Sequence, residues 1–302
     1  MRHLTTLKLI DAVTRFGSIR RAADEVALTP SALHRRIQTF EEEIGGEIFE
    51  RLPGGVRLNA AGELVVDHIR RQIAETERLK SRLADLAGMR RGHISIACSQ
   101  ALTSSFLPKA ISEYRRAFPQ VTFEVIVADH AAAEKALIDY EVDLALVFDW
   151  HQMPEFEVML AVRQDLRAVM ARTHPLAREN ELRLRQCLEF PLALPTKAYG
   201  GRLLLEDSVA RSSMQLTADV ESTSFDFLKS YVLRNQAITF QIPVGTPADD
   251  LYEGLVSVPI APRDIRDGFL YLGQRRGRAL SVASARFADQ LVRELNSSFD
   301  TV

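Results

Sequence analysis

Between residues 4 and 16 the apolar positions Leu4, Leu7, Ile10, Ala12, Val13 and Phe16 return at helical spacing, which predicts a helix with one buried stripe. Phe-Gly-Ser then supplies a stop and a start: Gly17 suits a helix end and Ser18 can cap the next helix. That second helix, about 19–26, turns Ala22, Ala23 and Val26 inward, and its small alanines let another helix come close. After the turn Ala27-Leu28-Thr29, Thr29 reads as an N-cap and Pro30 as a first helical residue, where a missing N–H costs nothing. The third helix runs to about Ile44 and stops at Gly45-Gly46. At about 100° per residue, Leu33, Ile37, Phe40 and Ile44 make a stripe that must face the first two helices. Ser31, Arg35, Gln38 and Glu42 lie opposite, with His34 and Arg36 on the flanks.

Two short strand-like pieces follow in "IFERLPGGVRLN", around the turn signal Pro53-Gly54-Gly55. Asn59 then caps a predicted helix of nearly thirty residues, on which Val65, Ile69, Ile73, Thr76, Leu79, Leu83 and Leu86 recur at threes and fours. The remainder of this helix is strongly charged. Pairing with a second copy would bury the stripe; packing on the chain's own C-terminal part is the other reading. Beyond Gly88 and Gly92 the texture changes to alternating strands and helices. Residues 93–98, 121–128 and 143–148 read as strands, with helices after Thr103 and after Ala131. A second set follows in "DLRAVMA", "FPLALP", "LTADVES" and "AITFQI", with helices near 200–212 and 224–234. "LVSVPI" and "GFLYLGQR" precede a last helix from about Ser281 to Leu295. This is an α/β pattern with a mostly parallel sheet.

The bulk numbers change little. A chain of 302 residues with 46% hydrophobic and 26% charged side chains is an ordinary globular protein of two or three domains. No apolar run approaches the roughly 18 residues of a membrane span, and the start is amphipathic rather than a signal peptide, so a cytoplasmic protein is expected. Cys98 and Cys187 are the only cysteines, read as small buried side chains in a reduced compartment, with a redox pair between them as the alternative. The seven histidines show no metal-ligand spacing, so no metal and no cofactor are expected. The net charge of −2 divides into +2 for residues 1–90 and −4 for the rest, too weak to indicate nucleic acid alone.

Position carries more than the total. In the third helix the cations stand at the N-terminal half and Glu41, Glu42 and Glu43 come later. A helix entering the major groove uses its N-terminal residues on base edges while its far end leaves the groove. Small helix, tight turn and cationic helix form a helix-turn-helix, and the following hairpin makes it winged, with Arg51 and Arg57 beside the tip for phosphates. A solvated amphipathic helix is the bland alternative for the third helix taken alone.

The runs "SIRRAA", "SALHRRI", "EEEIGGEIFER" and "RLNAAGE", at their mutual spacing, resemble the N-terminal region of LysR-type transcriptional regulators, and the likeness extends along the whole chain. The resemblance implies an all-α winged helix-turn-helix, a long linker helix and a two-lobed α/β effector domain like a periplasmic binding protein. The divisions are then 1–58 for DNA binding, 59–89 for the linker and dimerisation helix, and 90–302 for the effector domain. Lobe 1 would hold about 90–161 and 267–302, and lobe 2 about 162–266. The expected DNA-binding residues are Ser18, Arg20, Arg21, Thr29, Pro30, Ser31, His34, Arg35, Arg36, Gln38, Arg51 and Arg57. Pro30 and His34 stand where the family commonly has Gln and Ser, a departure that bears on the T-n11-A inverted repeat the resemblance implies. The expected partners are double-stranded DNA, a small-molecule effector and further copies of the chain, as homodimer and homotetramer.

Ligands of open α/β sheets bind beyond the carboxyl ends of the strands, where helix N-termini favour anions. The expected effector-binding residues there are Ser99, Gln100, Thr103, Ser104, Asp129, Phe148, Thr196, Ser222 and Thr223, with His130, Asp149 and Ser224 beside them. Converging hydroxyls without fixed charge would suit a small carboxylate; helix capping is their commoner use. Ser99, Asp129 and His130 have the types of a catalytic set, but no G-x-S-x-G elbow places the serine and no oxyanion site is defined, so no catalytic residue is assigned. At Asn235-Gln236 the family usually has a Gly-rich turn, and asparagine tolerates the left-handed conformation that such a turn needs. A transport solute-binding protein or an enzyme on the same two-lobed fold would share the C-terminal domain but has no use for residues 1–60.

Overall fold

The computed structural model describes residues 2–86, 91–148, 154–212, 214–246 and 254–300, in two units, Met1–Ala87 and Gly88–Val302. The expected boundary at 89/90 and Asp149 fall outside the described residues.

In the first unit α1 (Arg2–Phe16), α2 (Ile19–Glu25) and α3 (Pro30–Ile44) are followed by the hairpin β1 (Phe49–Leu52) and β2 (Gly55–Leu58) and by α4 (Ala60–Leu86). The small core is built from Leu7, Ile10, Val13, Ala22, Ala23, Leu33, Ile37 and Phe40, the stripes of the three helices. Ile44 departs from the expectation: the helix ends at Gly45 in the left-handed conformation, and Ile44 is left 44% exposed. The long helix also divides differently. Its front half buries Val66 and Ile69, and packs Val65 and Ile73, in this same core, held to α1 by Arg70–Asp11 at 2.7 Å and Lys8–Glu77 at 3.1 Å. Its far part keeps apolar residues bare, Leu79 at 56%, Leu83 at 57% and Leu86 at 85% exposure, and Leu64 near its start is bare as well at 78%.

The second unit begins with β3 (Gly92–Cys98), α5 (Phe106–Ala117), β4 (Val121–Val127), α6 (His130–Ile138) and β5 (Leu144–Phe148). The long β6 (Phe156–Gln164) crosses to the second lobe, where β7 (Arg167–Ala171), α7 (Leu184–Cys187), β8 (Ala193–Pro195), α8 (Gly200–Ala210), β9 (Val220–Ser222), α9 (Phe225–Arg234), β10 (Thr239–Gln241) and β11 (Leu255–Pro259) lie. The chain returns through β12 (Gly268–Arg275) and ends in α10 (Val282–Ser298). The first lobe is one five-stranded sheet in the order β4-β3-β5-β12-β6, with β3, β4 and β5 parallel and β12 antiparallel to both its neighbours. Tyr114 of α5, Phe123 of β4 and Phe287 of α10 pack edge to face on one side, while α6 covers the other with Ala133, Ala136 and Leu137. In the second lobe β8 and β9 are parallel, and a parallel bridge from Leu192 to Ile238 joins them to β10. There β7 runs antiparallel to β10 and β11, so this sheet is mixed rather than mostly parallel.

Two elements escaped the sequence reading. In β6, "FEVMLAVRQ", apolar residues fall at both parities, because the strand is covered unevenly along its length. The single turn of α7 is too short for a period to show. Asn235 does not take the left-handed conformation expected of it: its φ is −132°, and its Nδ2 donates to the Tyr231 carbonyl at 2.8 Å to close α9. No described helix is long and apolar enough to cross a membrane.

Candidate functional site

Capping fixes the outer face of α3. Thr29 Oγ1 accepts from Ala32 N at 3.3 Å and Pro30 fills the first helical position, so the helix starts without unsatisfied donors at either residue. Ser18 likewise accepts from Arg21 N at 3.4 Å, at the head of α2. With Leu33 and Ile37 buried, Ser31, Arg35, Arg36 and Gln38 are exposed together, and Arg20 and Arg21 are exposed on α2. Glu42 and Glu43 are exposed farther along. Glu41 has a structural use: its Oε1 accepts from Ile48 N at 2.8 Å and Phe49 N at 3.4 Å, tying the start of the wing to the end of α3.

The wing is seated from the other side by Gly17, whose carbonyl accepts from Val56 N at 2.9 Å. A Cβ on Gly55 would stand 2.3 Å from that oxygen, so only glycine permits the approach. On the wing the two arginines differ. Arg57 pairs with Glu50 directly across the hairpin at 2.8 Å. Arg51 Nη2 donates to His34 Nε2 at 3.3 Å, which links the wing to α3. Because that ring nitrogen accepts, the proton of neutral His34 sits on Nδ1, which is buried and unpartnered.

In the second unit the ends of β3, β4, β5, β8 and β10 open on a cleft between the two lobes. Ser99, Asp129 and Phe148 line it, with His130, Tyr199, Gly200, Gly201, Phe225, Phe240 and Gln241, none of which except His130 the sequence reading named. Of the hydroxyls expected to converge, Ser99 is the one that lines the cleft. Thr103 donates to the Gln100 carbonyl at 2.8 Å, Ser222 Oγ accepts from Ser224 N at 3.0 Å, and Ser224 caps α9 through Phe227 N at 3.2 Å. The backbone carbonyls of Thr196 and Thr223 accept from Tyr199 N and Tyr199 Oη, each at 3.2 Å. Gln100 and Ser104 reach across instead: Gln100 Oε1 accepts from Phe225 N, and Ser104 Oγ donates to Asp226 at 3.2 Å, both at the head of α9 in the other lobe.

Each wall has a local cause. Phe148 packs closely on β12, where a Cβ on Gly268 would come within 2.3 Å of its ring. Tyr199 packs against Phe225 with ring centres 5.0 Å apart. Burial, and then the charge of Asp129, push the Tyr199 phenol up, so it stays a donor at neutral pH. Asp129 itself caps α6, accepting from Ala132 N at 2.9 Å, which fixes its carboxylate as a structural acceptor. Among the described residues no group of His, Cys, Asp and Glu is placed to hold a metal ion.

Residues 4–63 match the family model described as bacterial regulatory helix-turn-helix protein, lysR family, and residues 87–296 match the LysR substrate binding domain. Among curated relatives, the HTH-type transcriptional activator CmpR of Synechocystis sp. is 22% identical over 299 residues, covering 95% of this chain and 94% of its own. Among solved structures, a full-length OxyR variant from Pseudomonas aeruginosa superposes with a TM-score of 0.68 at 17% identity, covering 97% of this chain and 94% of that one. Full-length CbnR complexed with its target DNA gives 0.56 at 16% identity, covering 97% and 99%.

Proposed function

Since the chain belongs to the LysR family of transcriptional regulators, a family of DNA-binding proteins with an effector domain and not of enzymes, we propose that it is a sequence-specific regulator answering to a small organic anion held between its lobes. The observation that carries this reading is the polarity of α3. Its apolar rear is clamped by α1 and α2, while Ser31, Arg35 and Gln38 stand exposed at its front. In this reading α3 lies in the major groove with those three side chains on base edges, and His34 and Arg36 at its sides. The capped heads of α2 and α3, with Ser18, Thr29 and Pro30, lie along the backbone. Arg20, Arg21, Arg51 and Arg57 take phosphates, Arg57 after exchanging Glu50 for one.

A homodimer formed through the bare end of α4 presents two such helices about one DNA turn (~34 Å) apart. Two dimers join as a tetramer, and effector binding between the lobes changes the spacing of their DNA-binding pairs by favouring one pre-existing arrangement. Such a protein works in the cytoplasm, where the promoter is. The test is a gel-shift titration against the promoter region beside the gene, at low and moderate salt. Specific retardation that weakens steeply with salt is expected; failure to retard any duplex at low salt removes the reading.

A further inference from the structure

The cleft holds a donor that the protein itself does not use. Gln241, on the last residue of β10, is 2% exposed, lines the cleft, and its Nε2 meets no acceptor. A buried amide without a partner is costly, so its retention calls for a group that arrives from outside. A second set of donors borders the same space. The eleven-residue α8 starts at Gly200-Gly201 with no side-chain cap and no acid in its first turn, and both glycines line the cleft. The heads of α6 and α9 are capped by Asp129 and Ser224, and Phe225 N is occupied by Gln100. The rest of the lining is mostly apolar, with four aromatic rings, Phe148, Tyr199, Phe225 and Phe240, among aliphatic side chains such as Val147, Leu166 and Ile242. No Lys or Arg lines it, while Asp129 does.

On the reading of this cleft as the effector site, we propose that the ligand is a compact ring-bearing monocarboxylate, whose oxygen accepts from Gln241 Nε2. Its ring lies among the four aromatic side chains, where an apolar or aromatic face gains contact and edge-to-face packing. One carboxylate is matched by neutral donors and the positive end of α8. Acyclic di- and tricarboxylates are disfavoured, because a second charge would meet Asp129 with no lysine or arginine to balance it, His130 being the one cation-capable side chain of the lining.

The experiment is isothermal titration of the full-length protein with benzoate and cyclohexanecarboxylate, with benzyl alcohol and citrate as comparators, repeated on Gln241→Leu and on Gln241→Met. Wild type is expected to bind the two ring acids and not the comparators. Both variants should lose about tenfold or more in affinity, the loss of one hydrogen bond to a charged group. Their melting temperature without ligand should hold or rise, because a buried unpaired donor is gone. Unchanged benzoate affinity in a folded variant, or a fall in melting temperature with affinity retained, would make Gln241 a packing residue and overturn the proposal. Citrate binding in place of the ring acids, or no binding by either acid, overturns it as well. The reading of the cleft as effector site is judged apart from this, by whether small-metabolite extracts change promoter binding by wild type and fail to do so with Ser99→Trp, which fills the cleft.

Discussion

Arg35 and Arg51 are both exposed cations of the first unit, yet they are held differently and should answer mutation differently. Arg35 projects from the uncluttered front of α3, whereas Arg51, on the hairpin, is tethered to His34 of α3. Arg35→Ala is expected to cost about 1–3 kcal/mol of discrimination between operator and mismatched sites, as loss of a bidentate base contact does. Arg51→Ala should weaken operator and random duplex alike and lower the slope of log affinity against log salt by about one. Competition gel shifts over a salt series separate the two, and equal losses on both DNAs for both variants would defeat the assignment. The thiols give a second test at this scale. Cys98 and Cys187 are both buried and unpaired, and burial pushes each up to about 12. A thiol that stays protonated is a poor nucleophile. The redox pair weighed from the sequence therefore has no reactive partner. Ellman's reagent at pH 8 should find no fast-reacting thiol in the native protein and both in guanidinium; rapid native modification would contradict this.

At the scale of elements, the turn between α2 and α3 sets the angle at which the front of α3 is shown. It is made tight by Ala27 in the left-handed region, φ 53°, with Leu28 N donating back to the Ala23 carbonyl at 2.9 Å. An L-residue there costs about 1–2 kcal/mol relative to the right-handed region, a cost that glycine avoids. Ala27→Gly is thus expected to stabilise the first unit by up to about 1 kcal/mol, after its greater freedom in the unfolded chain is subtracted. Denaturant melts followed by helix signal would show it, and a destabilised variant would mean that the turn relaxes on its own. The long helix carries its own experiment. The stripe of its front half, Val65, Val66, Ile69 and Ile73, is spent within the chain, so a second copy would use the exposed far end, where Leu79 and Leu83 stand one turn apart. Leu79→Glu with Leu83→Glu should shift the protein from dimer to monomer in sedimentation while leaving the core of α1 to α3 intact. A dimer that survives both changes would place the interface elsewhere.

For the whole molecule the decisive contacts are those between lobes. Gln100 and Ser104 sit on the turn after β3 and bind the head of α9 across the cleft. These two side chains, expected from the sequence to hold ligand, latch the lobes together instead. Removing the amide in Gln100→Ala leaves Phe225 N without its acceptor and should favour the open arrangement. The expected result is a change in promoter affinity in the absence of any ligand, with a dose response shifted about fivefold or more if closure and binding are coupled. Unaltered affinity and response would show that the latch does not report to DNA.

How much of this was legible beforehand follows from range. Helix periods, the caps Ser18, Thr29 and Asn59, the stop at Gly45 and the exposed cations of α3 rest on neighbours within a turn or two, so the amino-acid order by itself determined them. The α/β alternation and the position of the cleft at strand ends belong to the same class. Only the tertiary structure decided the remainder, because it depends on partners far away in sequence. Glu41 meets Ile48, Gly17 meets Val56, and α1 takes up the front of α4, none of which a periodicity announces. Serine and threonine were read as ligand groups, yet the hydroxyls of Thr103, Ser222 and Ser224 were claimed by nearby backbone once the chain turned, since a hydroxyl satisfies whichever partner lies closest. Phe148 was named from its place at a strand end, whereas Phe240 and Gln241 looked like ordinary strand residues and Tyr199 and Phe225 like ordinary residues at helix starts. What makes them a site is burial beside a gap, and a gap exists only after two lobes, joined through distant strands, have closed around it.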